Sequence, residues 1–546
     1  MNLARTLLQA LHDHGAREVF GIPGDFALPF FKEVEASNIL PLYTLSHEPA
    51  VGFAADAAVR YRGGLGVAAV TYGAGALNMV NPIATAYAEK SPLVVISGAP
   101  GAGEGVGGLG LHHQVKRLDS QLAVMREVTC AQAVLDDPAT APAEIARVLR
   151  TCLDRSRPVY IEVPRDMVGA EIGPVEILPA PTSDADATAA CAREIMAALK
   201  AAKRPALLLG VEVRRYGVEA QVIALAEKLA IPAATTFMAR GVAAESSAIL
   251  GTYLGLAGDE GLRDVIEDAD ALLMLGVILA DTNFGVSAKQ IDMRGAIHAF
   301  DAEVRFASHL YPGVRLPDLL DALVAVAEPI GREVTVDLAP PPRDMAADDT
   351  PLKPRDVAAA VNDLFARHGT MPIASDMGDC LFTAMDMAHA PLAAPGYYAT
   401  MGTGVPFGLG FSAALASEGA GERTLVLVGD GAFQMTGWEL GHCSRYGWRP
   451  IVLVFNNTAW GMLKVFQPGT GYNDLQDWPY ARLAGNLGGK GVRVTTRGEL
   501  AEALESAHGD GEGWHLIEIM LPADEYSPVL SRFVEAQKRR SVLGKG

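Results

Sequence analysis

The stretch TLVLVGDGAF, residues 424–433, reads as a buried strand, Leu425 to Val428, that stops on a carboxylate between two glycines. Runs of Val and Leu bounded by Gly are typical of parallel strands covered on both faces. Open parallel sheets bind ligands at the carboxyl ends of their strands. Gly429 and Gly431 allow close backbone approach there, and amides at such an end can donate to phosphate. A second strand, PIVLVF, ends in Asn456-Asn457, with twenty-four residues between Gly431 and Asn456. A helix over roughly 434–446 is expected to fill the gap, making a strand–helix–strand crossover. Neighbouring strand ends then carry an aspartate and an asparagine. A carboxylate, an amide oxygen and a backbone carbonyl suit magnesium bridging to a diphosphate. Either dipeptide alone serves equally as a turn or a strand cap; the pair at this spacing points to a cofactor site.

Outward from that stretch, the same signature recurs in EVFGIP, LGVAAVTYG, PLVVISGAP, PVYIEVP, PALLLGVE and ALLMLGVIL, with amphipathic segments between them. The fold class is therefore α/β with parallel sheets. Two breaks, LPAPTSDADATAA (178–190) and APPPRDMAADDTPLKP (339–354), read as linkers and cut the 546 residues into three parts of domain size. A formal charge of −19 excludes a nucleic-acid partner and an anionic membrane surface. The uncharged stretches Gly63–Ala88 and Ala388–Ser417 hold too much Gly, Pro, Asn and Thr for a spanning helix. They read as tightly packed backbone in a core or a subunit interface. The N-terminal NLARTLLQALHDHG is helical and interrupted by charge, unlike a signal peptide. Five scattered cysteines fit free thiols in a cytoplasmic protein.

GDG, twenty-four residues and NN resemble the motif of thiamine diphosphate-dependent enzymes. The resemblance implies thiamine diphosphate and Mg2+ as cofactors. It assigns the metal to Asp430, Asn457 and the carbonyl of Ala459, and the phosphates to the amides of Gly431, Ala432 and Phe433. LYTLSHEPAVGFAADAAVR is similar to the family's strand–His-Glu–helix element. Glu48 is thereby implied as the glutamate that promotes the imino form of the aminopyrimidine and so the ylide; many glutamates at a helix start are simply favoured by the dipole. The stretches GIPGDFALPFF (21–31) and LGLHHQ (109–114) resemble the pyruvate and indolepyruvate decarboxylase branch. Asp25, His112 and His113 then become the groups that protonate the product. The run Gly105-Val-Gly107-Gly108-Leu-Gly110 matches GxGxxG formally, but it lies too far from its strand for a phosphate turn and reads as an active-site loop.

The resemblance spans nearly the whole chain. It implies three doubly wound parallel-sheet domains: pyrimidine-binding over 1–170, central over 190–335, and diphosphate-binding with a C-terminal helix over 351–546. Glu48 would serve the metal site of another chain, so a homodimer is the minimum unit and a homotetramer the usual assembly. Met401 aligns with the bulky residue that bends thiamine, the Ala399 carbonyl with the acceptor for its aminopyrimidine, and Asp379 with a position near the diphosphate. Relatives carry a glutamate six residues beyond the second Asn, where this chain has Leu463. Asp281, in GVILADTNFGVS, falls in a stretch that resembles a family segment near the active site, and there it either caps the next turn or replaces part of that missing acid. Met377, Leu381, Trp460, Met462, Leu463 and Phe466 are the expected substrate pocket, suited to a bulky 2-oxo acid of the phenylpyruvate or indolepyruvate type. Two other readings stay open: a carboligase of the acetolactate synthase type, and a non-catalytic cofactor-binding paralogue.

Overall fold

The computed structural model describes residues 1–546 except 106–107, 245, 290, 292–294, 307–308, 331–335, 337 and 544–546. Val106 and Gly107 of the GxGxxG run, and residue 335 at the expected end of the central domain, lie outside the described residues. Three sheets order the chain. The first holds β1 (Val19–Gly21), β2 (Leu42–Thr44), β3 (Gly66–Val70), β4 (Leu93–Ala99), β5 (Ala131–Val134) and β6 (Val159–Pro164) in the order β2-β1-β3-β4-β6-β5. The second holds β7 (Pro205–Leu209), β8 (Ala233–Thr236), β9 (Ile249–Tyr253), β10 (Ala271–Leu275), β11 (Ile297–Phe300), β12 (Glu303–Phe306) and β13 (His309–Pro312) in the order β13-β12-β11-β10-β7-β8-β9. The third holds β14 (Ile373–Ser375), β15 (Leu392–Ala393), β16 (Leu425–Gly429), β17 (Ile451–Asn456), β18 (Lys490–Val494) and β19 (His515–Met520) in the order β15-β14-β16-β17-β19-β18.

The first and third sheets are parallel throughout. The middle one differs from the all-parallel expectation at one edge, where β12 pairs antiparallel with β11 and β13. Asp301 and Ala302, both at positive φ, make the two-residue turn that β11 and β12 need to fold back on each other.

The chain forms two compact units. One comprises Met1–Pro181, Tyr398–Glu422 and Thr436–Trp448; the other comprises Thr182–Tyr397, Arg423–Met435 and Arg449–Gly546. Within the first, the helices Glu48–Arg62 and Gly404–Ser417 pack on each other, and a Cβ at Gly410 would lie 2.2 Å from the Ala54 carbonyl oxygen. That contact accounts for the uncharged stretch Ala388–Ser417 as closely packed backbone at Gly410. Among the described residues no helix is long and apolar enough to cross a membrane.

Strand order reverses direction between β1 and β3, between β7 and β10, and between β14 and β16. Such switch points open crevices at the carboxyl ends of the strands. The one in the middle sheet is closed by the chain itself, since a Cβ at Gly210 would lie 2.0 Å from the Gly276 carbonyl oxygen. The other two carry most of the candidate site residues, whereas Asp281 lies beyond β10 of the middle sheet.

Candidate functional site

In the first unit, Asp25 follows β1 and Gly73 follows β3, so both border the switch-point crevice. Gly24 brings the Asp25 loop down on β3, where a Cβ would meet Thr71 at 2.5 Å. Asp25 Oδ2 is hydrogen-bonded to His112 Nε2, and its Oδ1 lies 3.7 Å from His113 Nε2. The His112 ring stacks on the buried Phe26 at 4.8 Å, while His113 sits edge-on to it at 6.1 Å. Burial works to raise the Asp25 carboxyl, but the His112 hydrogen bond, the Phe26 amide and both imidazoles outweigh it and hold the group below its usual value. The structure thus brings together Asp25 and a histidine pair that begins 87 positions further along the chain.

Beside them runs a buried polar network that sequence reasoning missed. Gln121 Oε1 accepts from the Gly73 amide, and its Nε2 reaches Ser97 Oγ at 3.1 Å and the Tyr160 hydroxyl. Tyr160 in turn donates to Glu162 Oε1 at 2.8 Å. Gln121 stands in the helix Ser120–Arg126, directly after the histidine loop, and the Tyr72 hydroxyl donates to the Leu118 carbonyl at 2.8 Å. The loop is thereby tied at its end to β3, β4 and β6. Gly105, Gly108 and Gly110 open no helix; the first helix after them is Ser120–Arg126.

Glu48 is the first residue of its helix, and Asn78 Nδ2 donates to its Oε2 at 3.0 Å. The turn before it is fastened from the segment 436–448. Glu439 Oε2 accepts from the Ser46 amide at 2.9 Å, and His442 Nε2 lies 2.9 Å from Ser46 Oγ. Burial pushes Glu439 up to about 7, against the pull of the Ser46 and His47 amides. Ala399 and Met401 also belong to this unit. Ala399 adopts φ 60° and Met401 is exposed. Their loop is held by Glu89 Oε1, which accepts from the Tyr398 amide at 3.0 Å, and by Thr85, whose hydroxyl meets that of Thr400 at 2.8 Å. Glu89 is itself paired to the buried Arg60.

In the second unit, Gly429 lies opposite Phe455 in the β16–β17 register, so the GDG and NN stretches leave the sheet side by side. The helix begins at Asp430 rather than near 434. It runs Asp430–Thr436, passes through a 3₁₀ segment Gly437–His442 and ends as Cys443–Tyr446. The helix-poor glycines Gly437 and Gly441 account for the interruption. Starting at Asp430 places Gly431, Ala432 and Phe433 in the first turn, where amides have no intrahelical acceptor.

Asp430 is 2% exposed. Its Oδ1 accepts from the Gly431 amide at 2.9 Å, whereas Oδ2 is buried without a partner among the described residues. Burial drives its carboxyl up to about 7, opposed by the amides of Gly431, Thr458 and Ala459. A buried carboxylate oxygen without a donor is costly, and a bound cation removes that cost. Asn457 Oδ1 accepts from the Ala459 amide at 3.1 Å across Thr458, which takes φ 52°. Ala459 is buried, and its neighbour Gly461 has no room for a Cβ, which would lie 2.5 Å from Asn457 Nδ2. This donor set of carboxylate, amide and backbone oxygens suits a hard divalent cation.

The remaining candidates divide. Trp460, Leu463 and Phe466 recur at helical spacing and are 45%, 54% and 40% exposed, forming one apolar face. Met462, one turn before Phe466, is half-buried and packs against a cluster that includes Val529, Leu530 and Val534 of the C-terminal helix Pro528–Leu543. Leu381 is buried and Met377 half-buried after β14. Asp379 accepts the Ser527 amide on both oxygens, and burial holds it up at about 6. Asp281 opens the short helix Asp281–Phe284 beyond β10; it is exposed, and its carboxylate has no hydrogen bond or ion pair among the described residues.

Family models described as the thiamine pyrophosphate enzyme N-terminal TPP binding domain, central domain and C-terminal TPP binding domain match residues 1–123, 192–310 and 376–519. The chain is 56% identical over 544 residues to an indole-3-pyruvate decarboxylase of Azospirillum brasilense, covering 99% of each. It is 30% identical to an alpha-keto-acid decarboxylase of Mycobacterium avium, covering 97% of this chain and 95% of the relative. With pyruvate decarboxylase isozyme 1 of Saccharomyces cerevisiae it shares 27% identity over 96% of each chain.

Proposed function

Since the chain belongs to the thiamine pyrophosphate enzyme family, we propose that it decarboxylates a bulky, aromatic 2-oxo acid of the indolepyruvate or phenylpyruvate type to the aldehyde and carbon dioxide. The observation that carries this reading is the pair of crevices: Asp25, His112 and His113 at one switch point, and Asp430 with its unpartnered oxygen at the other. When bound, thiamine diphosphate supplies a nucleophilic carbon for the 2-oxo carbon and a sink for the electron pair left by carbon dioxide.

Asp430, Asn457 and the Ala459 carbonyl hold magnesium, and the amides of Gly431, Ala432 and Phe433 receive the phosphates. Glu48 holds and returns a proton at the aminopyrimidine, with Asn78 fixing its carboxylate. The Ala399 carbonyl and Met401 orient that ring, and Asp379 orders the C-terminal segment through Ser527. Asp25, His112 and His113 deliver the proton that completes the aldehyde. Trp460, Leu463 and Phe466 offer the apolar face for the substrate side chain. On this reading the chain forms three domains, 1–170, 190–335 and 351–546, and the protein works in the cytoplasm as a homodimer at least, and as a homotetramer in full, with Glu48 serving a partner's metal site.

The test is a panel of 2-oxo acids with aldehyde detection. Indolepyruvate and phenylpyruvate should give aldehyde at a kcat/KM about tenfold or more above pyruvate, since each buried methylene-sized group in a fitting pocket contributes a factor of about ten or more. Acyloin as the main product would turn the reading to a carboligase, and no turnover with cofactor bound would turn it to a paralogue without catalysis.

Asp281 gives a second test. Because its carboxylate is exposed and unpaired, Asp281→Asn should not disturb folding or cofactor affinity. If it supplies part of the acid absent at Leu463, kcat falls by about tenfold or more. A parent-like kcat would leave proton delivery to Asp25, His112 and His113 alone.

A further inference from the structure

We propose that Asp25, His112 and His113 form a site for a borderline-soft divalent cation, zinc above all, and that its occupancy shuts the enzyme down. One ligand atom from each of the three lies within 4.8 Å of the other two, and this is the only group of three or more His, Cys, Asp or Glu side chains so placed among the described residues. The donor types decide which metal. Two imidazole nitrogens and a carboxylate oxygen suit Zn2+, Ni2+ or Cu2+, whereas Mg2+ keeps to oxygen ligands. None of the three residues is shared with the Asp430, Asn457 and Ala459 set.

Bond lengths of about 2.0–2.2 Å to a tetrahedral zinc would set the ligand atoms roughly 3.4 Å apart. The Asp25–His113 separation of 3.7 Å is already close to that spacing, and the hydrogen-bonded His112 and Asp25 have to open slightly. The frame around them is stiff. His112 is stacked on Phe26, whose own ring is 1% exposed. The backbone of His113 is held at φ 67° against Gly73, where a Cβ would come within 2.1 Å of the His113 carbonyl oxygen. Access is open on the other side, with the His112 side chain 62% exposed and that of Asp25 39%. Three protein ligands and an open face are the arrangement in which zinc keeps water or another small ligand in its remaining position. Binding takes both Nε2 lone pairs, so any proton carried there is released to solvent. Metal binding stands on this geometry alone; the inhibition rests on the proposed role of the three groups in proton delivery.

Cobalt(II) is the probe, added to the full-length protein saturated with thiamine diphosphate and magnesium, and read by its visible d–d absorption and by calorimetric stoichiometry. One Co2+ per chain is expected, displaced by zinc, with the absorption lost and affinity reduced at least tenfold in His112→Ala and in His113→Gln. Cys130→Ser should keep it, and so should Asp430→Ala compared with the parent in the absence of thiamine diphosphate. Absorption that survives both histidine variants, or that disappears instead with Cys130→Ser, overturns the site, as does the absence of stoichiometric binding at millimolar Co2+. Far-UV circular dichroism checks each fold, and Asp25→Asn replaces any histidine variant that fails it. Zinc at site-saturating concentration should reduce aldehyde formation at least tenfold and leave bound thiamine diphosphate unchanged. Undiminished turnover with the cobalt absorption present supports the site and overturns the inhibition.

Discussion

Asp430→Ala is expected to leave the desalted protein without thiamine diphosphate while its own fold stays intact. The two effects separate because of how Asp430 is placed. Among the described residues its buried Oδ2 has no hydrogen-bond partner, and burial outweighs the pull of the Gly431, Thr458 and Ala459 amides, so the carboxylate is costly in the empty protein. Alanine removes that cost and gives up the bond from the Gly431 amide to Oδ1, worth about 1 kcal/mol, with the weaker pull of the other two amides. Melting of the cofactor-free variant should therefore match or exceed that of the cofactor-free parent. Ligand added in large excess of its Kd raises stability by about 3 kcal/mol or more, and that gain should vanish in the variant. The measurements are bound cofactor per chain after desalting and the melting shift on adding thiamine diphosphate with magnesium. Retained stoichiometric cofactor would mean that Asn457 and the Ala459 carbonyl anchor the group without the aspartate, and the metal assignment would fall.

How much of this could be read beforehand follows from what each residue has to do. Runs such as LVVIS and IVLVF became β4 and β17 because both faces of those strands are covered, and only apolar residues fit. Short edge strands carry little pattern of their own: β15, only two residues, escaped, and β2, three half-buried residues, was read only through the resemblance of LYTLSHE. The antiparallel β11–β13 edge was hidden for the same reason, being made of four-residue strands joined by a tight turn. Candidate residues whose proposed chemistry dictates their type could be named beforehand, as with Asp430, Asn457, Glu48 and the Asp25–histidine set. Residues that act by holding others were not. Glu439 grips the Ser46 amide across 393 positions, and Gln121 joins Gly73 to β4 and β6; neither sits in a pattern of its own. Asn78 was visible in GAGALN, but nothing local says that its amide turns to Glu48. The expected pocket set split because Trp460, Leu463 and Phe466 are exposed while Met462 packs against the C-terminal helix, a tertiary contact that spacing does not show, since Met462 and Phe466 are four residues apart on one helix.

Replacing Glu48 with glutamine should slow exchange of the thiazolium proton of bound cofactor by about 10²–10⁴-fold, the range of a lost acid–base group, with cofactor content unchanged. The substitution is conservative in everything except protonation. Glutamine keeps the side-chain length and an acceptor oxygen for Asn78 Nδ2, so the 3.0 Å bond survives. The turn before it stays gripped by Glu439 and His442, and the helix Glu48–Arg62 stays packed on Gly404–Ser417. What is lost is a carboxylate able to take and return a proton, together with about 0.3–1 kcal/mol of favourable charge at a helix start. That helix term is far too small to account for a hundredfold change, which corresponds to about 2.7 kcal/mol. Exchange is read by quenching in acid after timed transfer to deuterated water and following the cofactor proton by NMR. Asn78→Ala, which frees the Glu48 carboxylate without removing it, should fall between parent and Glu48→Gln. An exchange rate in Glu48→Gln equal to that of the parent would show that the proton leaves without this carboxylate, and the role would pass to another group.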